Sequence, residues 1–147
     1  MQVAMIGGPT EAAVSDEIIA GVREPTRIRN LAGKLSLGEI PNLFLRARLF
    51  IGNDSGPKHI AAALGVPTVG IHSGNIDARE WGPVGLNAAA IWRQTSCSPC
   101  YIDKAANCPR NLLCLKGIGA GDVYRLCRKM LQIGARSSSV AREQRKS

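Results

Sequence analysis

Aromatic side chains are scarce in this chain: two Trp, two Tyr and two Phe stand among 147 residues. With so few rings and no stacking motif around them, nucleic acid is the weakest candidate partner, because binders of exposed bases rely on such platforms. Long apolar runs are missing too, and none approaches the ~20 residues that cross a bilayer. The opening stretch, Met1 to Ile6, has neither the length nor the basic flank of a secretory leader, so the chain reads as cytoplasmic. Acidic residues are outnumbered, 11 against 19 Lys and Arg, and the net charge is +8. A surface of that sign suits a nucleotide donor or an anionic lipid headgroup.

The 45% of apolar residues and the 16 glycines suit an α/β domain with tight strand–helix turns. The length suffices for one domain with its own core, expected over residues 1–134. The last 13 residues hold Arg136, Arg142, Arg145 and Lys146 against Glu143, which is +3 of the total charge. With Ser137-Ser138-Ser139 and the loss of apolar spacing, this predicts a disordered basic tail over 135–147. A solvated tail without a partner is the plain alternative to a binding role.

Apolar spacing predicts a strand from Gln2 to Ile6, a turn at Gly7-Gly8-Pro9-Thr10, and a helix from Glu11 to Val22. Ser36-Leu37-Gly38-Glu39 has the form of a capping box and predicts a helix to about Arg48, irregular at its start because of Pro41. A strand from Leu49 to Gly52 precedes a polar turn, a short Ala-rich helix and a strand from Thr68 to Ile71. Ala88 to Trp92 reads as a further strand and Gly121 to Ile133 as a closing helix. Strands alternating with helices predict a Rossmann-like, doubly wound parallel sheet, with ligands at the carboxyl ends of its strands.

The most informative run is Asn53-Asp54-Ser55-Gly56-Pro57-Lys58-His59-Ile60-Ala61-Ala62-Ala63-Leu64-Gly65-Val66-Pro67. It puts a helix N-terminus at the carboxyl end of a parallel strand, where free N–H groups and the positive end of the helix dipole favour phosphate. Gly56 admits a ligand close to the backbone, Pro57 suits a first helical turn, and Ser55, Lys58 and His59 add donors. The plainer reading is an ordinary helix start with Asp54 as its N-cap, a solvated Lys58 and a structural His59. Glu11, just after the Gly-Gly-Pro turn, can accept ribose hydroxyls or merely complement a helix N-terminus.

This run resembles glycosyltransferase family 9, the lipopolysaccharide heptosyltransferases and their relatives, whose hallmark is similar to D-[ST]-G-P-x-H-[IL]-A-A-A-L-G-x-P. Asp54, Ser55, Gly56, Pro57, His59, Ala61, Ala62, Ala63, Leu64, Gly65 and Pro67 match it. The likeness runs from about Val3 to about Ile133 but covers only the second half of such an enzyme. It implies the C-terminal, donor-binding domain of a GT-B glycosyltransferase, binding an ADP-heptose-like nucleotide-diphosphate sugar and needing no cofactor. His59 and Asp54 are implied to support catalysis. The substrate-binding set would be Glu11, Leu31, Leu35, Asp54, Ser55, Gly56, Lys58 and His59. Leu31 and Leu35 are also ordinary core candidates. The acceptor would be the lipopolysaccharide core, reached through an N-terminal half that also carries the general base. The expectation is therefore a truncated or split reading frame or an isolated domain, inactive alone, in the cytoplasm or peripheral at the inner membrane. Trp81-Gly82-Pro83 fits the family pattern, whereas Ser73, Gly74 and Asn75 depart from it beside the sugar.

Cys97, Cys100, Cys108 and Cys114 share one loop-rich segment, 97–114, and Cys127 stands apart. Four thiolates could hold a structural zinc or iron ion tetrahedrally. Reduced structural thiols and, less in keeping with a reducing compartment, disulfides are the alternatives. Two other classes of function stay open: a non-catalytic module that binds a nucleotide sugar or phosphate, and a metal-stabilised interaction domain.

Overall fold

The computed structural model describes residues 1–143, with side chains up to residue 134. The chain divides into two compact units, Met1–Asn42 and the remainder from Leu43.

In the first unit, strand β1 (Val3–Met5) leads through a 3₁₀ turn (Pro9–Glu11) into helix α1 (Ala12–Ala20) and back, by a second 3₁₀ turn, to strand β2 (Ile28–Asn30). The two strands pair in parallel, with Val3 opposite Ile28 and Met5 opposite Asn30. Asn30 ties the unit together. Its amide donates to Ala12 O at 2.9 Å and Asp16 Oδ1 at 2.7 Å, and its own oxygen accepts from Ala32 N at 3.0 Å. Gly33 follows with φ +72°, donating to Gly7 O; a Cβ there would lie 2.8 Å from Pro9 Cα. Only glycine lets the two turns lie so close.

The helix expected from Ser36 to Arg48 is shorter. Glu39 does accept from both the N–H and the hydroxyl of Ser36, at 2.8 and 2.7 Å, but the segment stays a turn and helix α2 is confined to Ile40–Phe44. Pro41, without an N–H, cannot continue a helix begun a turn earlier.

The second unit holds three parallel strands in the order β3 (Phe50–Asn53), β4 (Thr68–His72) and β5 (Ala88–Trp92). Helix α3 (Gly56–Ala63) connects β3 to β4, and the short α4 (Ala78–Trp81) connects β4 to β5. Two further helices follow, α5 (Leu113–Lys116) and α6 (Ala120–Glu143). Side chains alternate across a strand, so β4 presents Val69 to one face and Gly70 and His72 to the other. Val69 meets Cys127 and Met130 of α6 in a buried cluster, with Leu49, Ile91, Val123 and Leu126 against it. The Gly70 and His72 face takes α3, whose inward side is Lys58, Ala61 and Ala62. Helices on both faces of a parallel sheet make the doubly wound arrangement expected.

Helix α3 ends in a Schellman turn, with Val66 N donating to Ala61 O and Gly65 N to Ala62 O. Gly65 sits at φ +75°, the left-handed conformation that this turn requires. Helix α6 runs on to Glu143, past Gly134, where the closing helix was expected to stop. Of residues 135–147, where a disordered basic tail was expected, the backbone of 135–143 continues α6, while residues 144–147 and all side chains from 135 lie outside the described residues. Among the described residues no helix is long and apolar enough to cross a membrane.

Met130 is 3% exposed at the centre of the α6–β4 cluster. Met130→Ala is expected to lower the unfolding free energy by about 2–5 kcal/mol, as core truncations of this size do. Urea denaturation followed by far-UV circular dichroism checks it; a loss near zero would mean that α6 does not hold the sheet.

Candidate functional site

At the carboxyl end of β3 the chain turns through Asp54 and enters α3 with Ser55 as its N-cap, in extended conformation at φ −155° and ψ 166°. That cap lacks a side-chain hydrogen bond to the helix. The Ser55 hydroxyl turns back to Asn53 at 3.3–3.5 Å. Lys58 N reaches Ser55 O at 3.2 Å, and among the described residues no acceptor takes the N–H of Ser55 or Gly56. Gly56 is exposed, and a Cβ built on it would meet nothing within 4 Å. The helix start therefore carries unpaired amides beside open space at Gly56, a geometry receptive to anions. His59 is exposed on the same first turn.

Asp54 does not cap the helix, as the plain reading had it. Its carboxylate points to Lys58, four residues on, whose Nζ lies 2.5 Å from Oδ1. Lys58 in turn is not a solvent-facing donor at the helix start. Its side chain is 0% exposed, and Nζ also meets Trp81 O at 2.5 Å and His72 Nε2 at 3.2 Å. Three acceptors match the three protons of the ammonium, which makes its burial tolerable. The lysine stem runs over Gly70, where a Cβ would come 2.9 Å from Lys58 Cδ and 3.0 Å from His72 Nε2. Glycine at this point of β4 is the space the lysine occupies.

His72 is also 0% exposed. Its Nδ1 is buried without a hydrogen-bond partner among the described residues, 3.7 Å from Asp54 Oδ2. An orphan of this kind costs roughly 1–3 kcal/mol, so it calls for a reason. Burial first, and then the adjacent Lys58 charge, hold the His72 pKa below its ordinary value; Asp54 pulls the other way and His59 adds a little to the lowering. Lys58 and His72 were not foreseen as a buried pair. The signal was available in the spacing of Lys58, Ala61 and Ala62 at i, i+3 and i+4, which puts all three on one helix face.

The other expected residues divide by unit. Glu11, Leu31 and Leu35 lie in the first. Glu11 is exposed and takes the Gly8 N–H on Oε2 at 2.6 Å, so it serves the turn locally while Oε1 carries no hydrogen bond among the described residues. Leu31 and Leu35 are half-buried.

In the second unit, Ser73 and Asn75 follow β4 and border a cavity of about 210 Å³ shared with Cys100, Cys108 and Cys114. The four thiols do not form the tetrahedral set considered from spacing. Among the described residues no three His, Cys, Asp or Glu side chains converge as a metal site, and the cysteines are free. Each meets a different neighbour: Cys97 Sγ lies 3.3 Å from Thr95 Oγ1, Cys100 Sγ reaches Asn75 Oδ1 at 3.7 Å, and Cys108 Sγ accepts from Leu112 N at 3.3 Å. Cys114 is buried against the backbone of Gly74, its Cβ 3.1 Å from where a Gly74 Cβ would stand.

An exposed, uncapped helix start behind a parallel strand, in a sheet with helices on both faces, defines a Rossmann-like α/β unit. The sequence pattern of glycosyltransferase family 9 (heptosyltransferase) matches residues 1–109, and the chain belongs to this family. It is 32% identical over 141 residues to lipopolysaccharide heptosyltransferase 3 of Escherichia coli, a match covering 95% of this chain and 40% of that protein. It is 25% identical over 133 residues to lipooligosaccharide heptosyltransferase 2 of Campylobacter jejuni, covering 39% of it. Its fold superposes on E. coli ADP-heptose lps heptosyltransferase II with a TM-score of 0.66 at 25% identity, over 89% of this chain and 36% of that one. A glycosyl transferase family 9 structure from Veillonella parvula gives 0.65 at 26% identity, over 37% of its length. The fold is thus that of the C-terminal domain of a GT-B glycosyltransferase, and the chain spans about two fifths of the relatives it matches.

Because the folded pKa of His72 is lowered, its contribution to stability is complete above the unfolded value of about 6.5 and is lost as pH falls below it. His72→Phe removes this component. The stability advantage of wild type over His72→Phe is therefore expected to shrink as pH drops from about 7.5 to about 5, measured by urea unfolding. A difference independent of pH would mean that His72 titrates normally despite Lys58, Asp54 and His59 around it.

Proposed function

We propose that this chain is the donor-binding half of an inverting glycosyltransferase of lipopolysaccharide core assembly, taking a nucleotide-diphosphate sugar of the ADP-heptose class. The observation that carries this reading is the open start of α3, with two unpaired amides and Gly56 in free space. Support for the sugar comes from similarity to lipopolysaccharide and lipooligosaccharide heptosyltransferases, and from the structural likeness to an ADP-heptose lps heptosyltransferase.

In this reading the Ser55 and Gly56 amides and the His59 ring receive the diphosphate. Asp54, half-neutralised by Lys58, faces the sugar hydroxyls, and Lys58 acts only through Asp54. The acceptor hydroxyl attacks the anomeric carbon opposite the diphosphate. The bond from that carbon to the diphosphate oxygen breaks, and the hydroxyl proton passes to a base. Charge grows on the departing diphosphate, and fixed amides aimed at it stabilise the transition state more than the ground state. We assign the base and the acceptor site to polypeptide outside these 147 residues, so that this chain binds nucleotide without transferring sugar. Its net charge of +8 suits a peripheral approach to an anionic membrane.

Calorimetric titration with ADP tests the site. Wild type is expected to bind, and His59→Ala to bind about tenfold or more weakly, the loss of one charge-assisted hydrogen bond. Gly56→Glu, which puts a carboxylate into the free space at the helix start without a clash, is expected to abolish binding while leaving the circular dichroism spectrum unchanged. Equal heats from wild type and both variants would remove the helix start from the site, and sugar transfer by the purified chain would overturn the division of labour.

A further inference from the structure

We infer that His72 is a positioning residue for Asp54, a buried donor held ready to close on Oδ2 of the carboxylate when a diphosphate occupies the start of α3. The inference rests on the nucleotide reading above and adds to it a residue that lies beneath the binding surface.

The tautomer follows from the lysine. Nζ of Lys58 has three protons, and its neighbours Asp54 Oδ1, Trp81 O and His72 Nε2 are three acceptors. Nε2 is therefore unprotonated, and the ring hydrogen sits on Nδ1. That N–H is buried, unpartnered, and 3.7 Å from Asp54 Oδ2. A normal hydrogen bond needs roughly half an ångström less. Asp54 can supply it, because Oδ1 is anchored by Lys58, Oδ2 accepts no hydrogen bond among the described residues, and the side chain is 27% exposed at the mouth of the site.

The physical need is electrostatic. A carboxylate immediately before an anion-binding helix start repels the diphosphate. Lys58 neutralises one side of Asp54 from below. A donor from His72 draws the remaining charge down to Oδ2, away from the open amides, and fixes the plane of the carboxylate for a sugar hydroxyl. At 3.7 Å the bond is open and the Nδ1–H is an orphan. Ligand binding and closure then favour one another, as any two linked equilibria must.

The chain has two histidines, so its imidazole ¹⁵N spectrum can be assigned completely with His59→Ala and His72→Phe. Wild type without ligand is expected to show His72 as the Nδ1–H tautomer, with the Nδ1 resonance moving on addition of ADP and unmoved by adenosine. By calorimetry, His72→Phe is expected to weaken ADP about tenfold with no change for adenosine. His72→Asn, whose amide stands near the Nδ1 position, is expected to recover most of the loss. An Nε2–H tautomer, or an Nδ1 signal indifferent to ADP while wild type binds it, overturns this inference and leaves the nucleotide reading standing. Absence of ADP binding by wild type overturns both. If His72→Phe fails to fold, the wild-type spectra with and without ADP decide alone.

Discussion

A single buried ammonium organises the second unit. Lys58 lies on the inner face of α3 and joins three pieces of chain that are distant in sequence: the turn after β3 through Asp54, the end of β4 through His72, and the end of α4 through Trp81 O. Burying an isolated charge is prohibitive, so these partners are obligatory once the lysine is inside. The openness of the α3 start is a result. Asp54 makes no hydrogen bond to the first helical amides, and its Oδ1 turns to Lys58 instead. Ser55, the actual N-cap, leaves the helix uncapped.

This arrangement reconciles two demands that look contradictory. Here an acidic residue, Asp54, stands directly before the open amides of Ser55 and Gly56. Unpaired helix amides concentrate roughly half a positive charge, which a neighbouring carboxylate would cancel if its own charge were free. With a cation beneath it, the carboxylate keeps its acceptor geometry while much of its field is confined to the interior. The exposed layer of Ser55, Gly56 and His59 therefore depends on an inner layer of Lys58, Gly70 and His72.

The exposed layer was legible in the amino-acid sequence because its signals are local. Strand, polar turn, Gly-Pro and Ala-rich helix follow one another, and Gly65 marks the end of α3. The strand from Ala88 to Trp92 also stands where apolar spacing put it. Of the inner layer, the spacing of Lys58, Ala61 and Ala62 shows a shared helix face, but whether that face turns out or in depends on what covers it. Only the structure shows Gly70 opposite, and His72 beyond it on the same face of β4. The shorter α2 has a similar origin: Ser36 gives both its N–H and its hydroxyl to Glu39, but Pro41, without an N–H, decides where regular helix can begin. The cysteine spacing likewise does not tell which neighbours the thiols meet, and the structure gives Thr95, Asn75 and Leu112 to Cys97, Cys100 and Cys108.

The notch at Gly70 carries an evolutionary corollary. Replacing Lys58 alone strands a carboxylate, replacing His72 alone removes an acceptor from a sealed cation, and enlarging residue 70 alone drives into both side chains. An all-hydrocarbon filling of the same volume that also replaces Asp54 would be acceptable to the fold, since well-packed apolar replacements of buried ion clusters are often neutral or better. Positions 54, 58, 70 and 72 thus constitute an epistatic unit, in which lineages should exchange one self-consistent set for another and seldom pass through a mixed intermediate.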